Sequence, residues 1–150
     1  MSLVREFHIA FNQEAPPFPT VPDRDLAALR MRLIRKEYEE VKKESDLLLA
    51  ALRNDAVHPD VIVAIMQRLI KEICDLRYVT EGALVAYGVE PDAYKEVHRS
   101  NMSKLGEDGK PVTRDDGKAL KGPNYSPADP NKMFPSIIEG SATEGGAEAA

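Results

Sequence analysis

Two pairs of acidic residues, each with a three-residue spacing, stand out in the chain: Glu37 with Glu40, and Glu72 with Asp75. Residues three apart on a helix project from the same face, so the carboxylates of each pair repel each other unless a cation lies between them. No histidine lies within four residues of either pair, which disfavours zinc and His-rich di-iron sites. Converging carboxylate oxygens suit hard divalent cations. The pattern therefore predicts a Mg²⁺ site, with Mn²⁺ as the alternative, held by all four residues.

Each pair also has an ordinary explanation. The first pair lies in the highly charged stretch 36–44, which is typical of a solvated helix face. The second pair lies among apolar residues, where carboxylates are costly unless they are paired or bound to a metal. Three basic residues could neutralise the second pair in salt bridges: Arg68, Lys71 and Arg77.

Two long helices are predicted to carry the acidic residues. From Leu26 to about Leu52 the chain has neither glycine nor proline, and good helix formers dominate. Pro59 suits the first position of a second long helix, which is predicted to span 59–87 and to stop at Gly88. Because a short turn joins them, the helices should be antiparallel neighbours, and the two acidic pairs should face each other.

Shorter helices are predicted on either side of this pair. A helix over residues 3–12 precedes a proline-rich linker at 15–22, and a fourth helix runs from Asp92 to about Lys104. The predicted fold class is all-α, an antiparallel helical bundle of four main helices with a loop-rich C-terminal arm, assembled as an oligomer. The apolar face of the first helix is predicted to comprise Leu3, Phe7 and Phe11.

The chain changes character after residue 105. A small hairpin is predicted within 110–121, around Asp116-Gly117, and a loop follows to Pro127. The last residues, 139–150, are glycine, alanine, glutamate, serine and threonine, so disorder is expected there. We interpret residues 1–138 as one all-α domain, with the arm at 105–138, and 139–150 as a disordered tail.

The composition narrows the class of protein. A formal net charge of −5 argues against a general nucleic-acid binder, whose footprint is a basic patch. No apolar run reaches the length of a membrane span, and Glu6 and His8 interrupt any secretory signal. The single cysteine, Cys74, cannot form an internal disulfide and is interpreted as a buried small side chain. The chain is expected to be cytoplasmic, with neither a nucleic-acid nor a membrane partner.

The two acidic motifs, ExxE on one helix and ExxD on the next, resemble the signature of the all-α nucleotide pyrophosphohydrolases. The segments 76–82, 97–105 and 118–127 are similar to the MazG-like, phosphoribosyl-ATP-pyrophosphohydrolase-like subgroup. Together the resemblance covers about residues 3–130. Two features depart from the family pattern: Lys36 stands where many relatives have another acid, and the separation of the motifs, residues 41–71, is long.

The resemblance implies hydrolysis of a nucleoside or deoxynucleoside triphosphate to the monophosphate and pyrophosphate, in house-cleaning or directed at dUTP or dCTP. The four acids would bind Mg²⁺, and one of them would accept a proton from the attacking water. The resemblance also implies a homodimer or tetramer. It assigns substrate binding to Asn101, Lys104, Lys121 and Tyr125.

Several alternatives stay open at this point. Lys104 could instead interact with the carbonyl end of its helix, and the arm could merely strap the bundle. A phosphoribosyl-ATP pyrophosphohydrolase is a second enzymatic interpretation, although such chains typically end near the helical core and lack an arm like 105–127. A non-catalytic helical interaction or regulatory module, whose acids only form salt bridges, is a third.

Overall fold

The computed structural model describes residues 2–135, which form helices and no strand. Four main helices are present, and a fifth helix has a single turn. The all-α class and the four main helices are therefore confirmed. The predicted tail, 139–150, and the last residues of the predicted arm, 136–138, lie outside the described residues. The helices are α1 (Leu3–Ala10), α2 (Arg24–Leu52), α3 (Pro59–Ala86), α4 (Asp92–Met102) and α5 (Pro130–Met133).

The two long helices begin with side-chain caps. The Asp23 carboxylate accepts a 2.7 Å hydrogen bond from the Leu26 amide, so α2 begins slightly earlier than its apolar pattern suggests. At the start of α3, Nδ1 of His58 accepts from the Asp60 amide at 3.2 Å. Beyond the end of α3, Gly88 adopts a positive φ of 68°, which glycine reaches without steric cost. The predicted boundaries of α3 are thus confirmed to within one residue.

The chain divides into two compact units at Glu90–Pro91. In the first unit, α3 packs against both α2 and α1. Pairings between α2 and α3 run in opposite chain order, since Glu44 pairs with Arg68 and Glu37 lies beside Glu72. The two long helices are therefore antiparallel, as predicted. In the second unit, α4 packs against α5.

The buried face of α2 is more polar than its leucine pattern predicts. Its buried residues recur every seven positions, which is close to two helical turns. The apolar spacing of α2 predicts a buried stripe, and this prediction is wrong at Leu29 and Leu52, which are 39% and 57% exposed. These two leucines flank the line that faces α3 instead of lying on it. The residues of the predicted stripe are Leu26, Leu29, Leu33, Val41, Leu48 and Leu52. The buried residues of α2 are Arg30, Glu37, Glu44 and Ala51.

The buried face of α1 also differs from the prediction. Leu3 and Phe11 are 79% and 64% exposed, whereas Val4 and His8 are buried. His8 fits there because its Nδ1 lies 2.7 Å from the carbonyl oxygen of Glu14, which satisfies one polar atom of the ring. The buried face of α1 is therefore shifted by about one residue from the face predicted by the leucine and phenylalanine spacing. Cys74, predicted to be buried, is likewise exposed.

Arg5 holds the proline-rich linker against the first unit. Its guanidinium donates two 2.8 Å hydrogen bonds to the Glu90 carboxylate. It also donates to the carbonyl oxygens of Ala15 and Pro16 at 2.9 and 3.1 Å. The bidentate ion pair with Glu90 orients the Arg5 guanidinium, and the guanidinium in turn holds the start of the linker through its two carbonyl oxygens.

The arm of the second unit returns to the end of α4. The Gly122 amide donates a 3.0 Å hydrogen bond to the Lys104 carbonyl, and a Cβ atom on Gly122 would lie only 2.4 Å from the Leu105 carbonyl oxygen. Between these points the predicted hairpin consists of a single antiparallel bridge, Thr113 with Ala119.

Among the described residues, no helix is both long and apolar enough to span a membrane.

Candidate metal and nucleotide site

Carboxylates from both long helices converge in the first unit. One oxygen each from Glu37, Glu40 and Glu72 lie within 4.8 Å of one another. Asp75 is not part of this group of three, but it shares an ammonium partner, Lys71, with Glu72. The antiparallel packing of α2 and α3 thus brings the two acidic motifs together, on helices that hold their backbones rigidly.

The two motifs have matching exposure. The first acid of each is largely buried, with 11% of the Glu37 side chain and 16% of the Glu72 side chain exposed. The second acid is more open, at 39% for Glu40 and 42% for Asp75. The apolar neighbours of the α3 pair predict that it is the more buried one, whereas each helix contributes one largely buried and one open carboxylate. A cation or a water molecule can therefore approach from the open side.

A lysine bridges each acidic pair. Lys36 Nζ lies 2.9 Å from Glu40 and 3.0 Å from Glu37, and Lys71 Nζ lies 2.8 Å from Asp75 and 3.1 Å from Glu72. Hydrogen bonds to Glu40 and Glu37 raise the pKa of Lys36, and the hydrogen bond from Lys36 lowers the pKa of Glu40. Hydrogen bonds to Asp75 and Glu72 likewise raise the pKa of Lys71.

The partner of Glu40 could have been found from the sequence. Lys36 departs from the family pattern, and its i,i+4 spacing to Glu40 is that of a helical ion pair. Of the basic residues proposed to neutralise the α3 pair, Lys71 does so. Arg68 instead pairs with Glu44 at 2.9 Å, and Arg77 forms no salt bridge within residues 2–135.

The four predicted substrate residues lie in the second unit. Lys104 Nζ donates a 2.7 Å hydrogen bond to Asn101 Oδ1. Lys121 Nζ lies 4.4 Å from the centre of the Tyr125 ring, a cation–π geometry. The hydrogen bond from Gly122 to the Lys104 carbonyl places the arm pair next to the helix pair. These residues therefore form one basic and aromatic group of their own.

A comparison with protein families identifies the chain. The model of the phosphoribosyl-ATP pyrophosphohydrolase family matches residues 4–101. The chain belongs to this family. The match includes all four acidic residues and extends from α1 into α4. No curated protein matches the chain.

Family membership decides the class of protein. Members of this family, which is part of the MazG-like all-α superfamily, are pyrophosphohydrolases. The chain is thus an enzyme that hydrolyses phosphoric anhydride bonds, which disfavours the non-catalytic helical module. Family enzymes generally use divalent metal ions.

The acidic cluster fits such an ion. Its ligand atoms are all carboxylate oxygens, the donor type that Mg²⁺ and Mn²⁺ prefer. The group of three spans at most 4.8 Å, and small side-chain rotations would bring these oxygens around one cation with bonds of about 2.0–2.1 Å. Glu37 and Glu72 are largely buried, whereas the Glu40 carboxylate lies at the open side, where Lys36 is its partner.

Proposed function

We propose that the chain hydrolyses the bond between the α and β phosphates of a nucleoside or deoxynucleoside triphosphate, releasing the monophosphate and pyrophosphate. The observation that carries the proposal is the convergence of Glu37, Glu40 and Glu72 from two antiparallel helices. A triphosphate is highly anionic, and a chain with a net charge of −5 needs cations to bind it. A cation held by the carboxylates would supply this positive charge next to the phosphate that reacts.

In this proposal Glu37, Glu40, Glu72 and Asp75 hold Mg²⁺, with Mn²⁺ as the alternative. When bound, the ion polarises phosphoryl oxygens and lowers the pKa of a water ligand. Glu37 and Glu72 set the position of the site because they are the less exposed acids of the two pairs. Glu40 and Asp75 lie at the open side, and one of them accepts the proton of the attacking water.

We propose that Asn101, Lys104, Lys121 and Tyr125 bind the nucleotide, as the resemblance implies. Lys104 and Lys121 are point charges suited to phosphate oxygens, and the Tyr125 ring offers an apolar face for a base. Asn101 orients Lys104 through their 2.7 Å hydrogen bond. We propose that the functional domain spans residues 1–138 and includes the arm.

Phosphoribosyl-ATP is the second candidate substrate, and the description of the matching family favours it. It also carries a 5′-triphosphate, so the same bond and the same metal site would be used. The arm favours ordinary triphosphates instead, because Lys121 and Tyr125 lie beyond residue 101, where the family match ends. Base and sugar preference is the property that separates the two.

The test is a substrate panel with Mg²⁺ and detection of pyrophosphate. The panel contains the ribo- and deoxyribonucleoside triphosphates, dUTP, oxidised purine triphosphates and phosphoribosyl-ATP. Glu40→Gln and Glu72→Gln should each lower kcat by roughly a hundredfold or more, because a metal ligand is lost. Glu39→Gln is the matched control, since Glu39 neighbours Glu40 but is exposed outside the cluster. Cleavage of phosphoribosyl-ATP alone would select the second candidate, and cleavage of no triphosphate would refute the proposal.

We also propose that two copies of the chain associate through α3. Four apolar residues on this helix follow the 3-4-3 spacing of a helix-packing seam, yet each is between 39% and 53% exposed. A second copy presenting the same stripe would cover them in a symmetric interface. The residues of the stripe are Val63, Met66, Ile70 and Ile73.

Light scattering after gel filtration tests the association. The wild-type chain should elute as a dimer or tetramer, and Ile70→Glu should yield monomer, because it places a charge in the centre of the seam. Val112→Glu, at an exposed apolar residue of the arm, should leave the assembly intact. A monomeric wild type, or an Ile70→Glu variant with unchanged mass, would exclude this interface.

A further inference from the structure

The two acidic motifs share a feature that the metal ligands alone do not explain. A lysine immediately precedes the first acid of each pair, Lys36 before Glu37 and Lys71 before Glu72. Each ammonium bridges both carboxylates of its own pair at 2.8–3.1 Å. The side chains of the two lysines are also equally open, at 61% and 63%. Each helix thus carries its own counter-cation in the same geometry.

The charges of this arrangement set how many metal ions it accepts. Four carboxylates contribute four negative charges and the two ammonium groups contribute two positive charges, so one divalent cation balances the remainder. We propose that Lys36 and Lys71 are built-in counter-cations that restrict the acidic cluster to one divalent cation per chain. This inference rests on the proposed function, because it takes the same carboxylates as metal ligands.

A second divalent ion is disfavoured by electrostatics and by coordination. It would give the half-buried cluster an excess of positive charge, and each ammonium would lie near an ion. Glu40 and Asp75, the open carboxylates, are also the partners that lie nearest to the lysines. Removing one ammonium that contacts two of the metal-binding carboxylates should therefore tighten metal binding by roughly tenfold or more.

Metal titration of the full chain without nucleotide tests the inference. Mn²⁺ binding is followed by electron paramagnetic resonance of the free ion, and Mg²⁺ binding by calorimetry. The wild type should bind one ion per chain. Lys36→Met and Lys71→Met should each bind one ion at least about tenfold more tightly, and the double variant should bind two. Lys43→Met is the matched control, because Lys43 is an exposed lysine two turns from Lys36 on α2; its affinity and stoichiometry should equal those of the wild type.

Several outcomes would overturn the inference. These are a wild type that binds two ions with similar affinity, a wild type that binds none, and single variants whose affinity is unchanged. If circular dichroism shows that the double variant does not fold, the two single variants still decide through their affinities. Pyrophosphate release separates this inference from the proposed function. An active wild type with two bound ions refutes only the inference, whereas one bound ion without cleavage of any triphosphate refutes only the proposed activity.

Discussion

The Nε2 atom of His8 lies 3.2 Å from the position that a Cβ atom would take on Gly82. Glycine at this point of α3 allows α1 to pack close to it, with His8 only 2% exposed. The ring has little room to move because Nδ1 is hydrogen-bonded to the Glu14 carbonyl at 2.7 Å. A glycine inside a helix is otherwise unfavourable, so its presence here reflects the close packing of the two helices.

Gly82→Ala should destabilise the chain although alanine is the better helix former. The propensity gain is about 1 kcal/mol, and overpacking against a fixed ring costs about 1–3 kcal/mol. We expect a net loss of about 1 kcal/mol in the free energy of urea unfolding. In a His8→Ala background the same change should become stabilising, because only the propensity term remains. A loss that is the same in both backgrounds would show that the ring is not the obstacle.

The stability of the first unit should fall as the solution becomes acidic. Burial, assisted by the charges of Arg30 and Arg5, lowers the pKa of His8 in the folded state. The unfolded chain, with a histidine pKa of about 6.5, therefore takes up a proton first as the pH falls. The stability contribution of neutral His8 is complete above about pH 6.5 and declines below it, by at most about 1.4 kcal/mol per pH unit.

Urea unfolding at pH 7.5, 6.5 and 5.5 measures this decline. The difference between the wild type and His8→Gln isolates the contribution of His8 from those of other groups, and this difference should shrink as the pH falls. His98→Gln, at an exposed histidine, should keep the full decline of the wild type. A difference between wild type and His8→Gln that does not change with pH would contradict the assignment.

Removal of Arg68, the partner of the buried Glu44, and removal of the buried Arg30 should have different effects on the free energy of unfolding. Glu44 is 9% exposed and has Arg68 at 2.9 Å, so Arg68→Met leaves a buried carboxylate unpaired and should cost about 1–3 kcal/mol. Arg30 is 5% exposed, and its Nε has no hydrogen-bond partner among the described residues. Arg30→Met should therefore cost less than about 1 kcal/mol or stabilise the chain. Equal losses in urea unfolding would argue against this difference.

In the second unit, Glu96 should hold the segment around Asp129 to α4. Hydrogen bonds from Arg99 and from the Asp129 amide lower the pKa of Glu96 to about 2. The stabilising charge is complete above the unfolded pKa of about 4.3 and is lost as the pH falls through about 2. Glu96→Gln should speed hydrogen exchange of the Asp129 amide at neutral pH, while Glu107→Gln, at an exposed residue, should not. Unchanged exchange in Glu96→Gln would show that other contacts hold the segment.

The helices of this chain could be predicted because local signals determine their ends. Asp23, Pro59 and Gly88 mark boundaries through capping and backbone preferences that need no tertiary information. The juxtaposition of Glu37 and Glu72 followed from the antiparallel geometry that a short connection imposes. The helix ends and the antiparallel pairing depend on residues that are close together along the chain, so the sequence alone is enough to predict them.

The faces of the helices were harder to predict, for a physical reason. His8 is buried because Gly82 and the Glu14 carbonyl accommodate it. A helical pattern detects neither contact, because Gly82 lies on another helix and Glu14 lies beyond the end of α1. Leu29 is exposed within one chain because charged residues occupy the line that faces α3. Periodicity assumes that apolar side chains face inward, and α2 does not obey that assumption.

The seven-residue recurrence of Arg30, Glu37 and Glu44 on α2 has a consequence for alignment. Leucine and isoleucine side chains tolerate a shift of one helix along another by a turn, because one aliphatic surface resembles the next. Such a slide of α2 past α3 would separate Glu44 from Arg68, which would leave the buried Glu44 carboxylate without its partner. The pairing of Glu44 with Arg68 therefore favours one longitudinal alignment of the two helices, and the same alignment brings Glu37 level with Glu72, two of the proposed metal ligands.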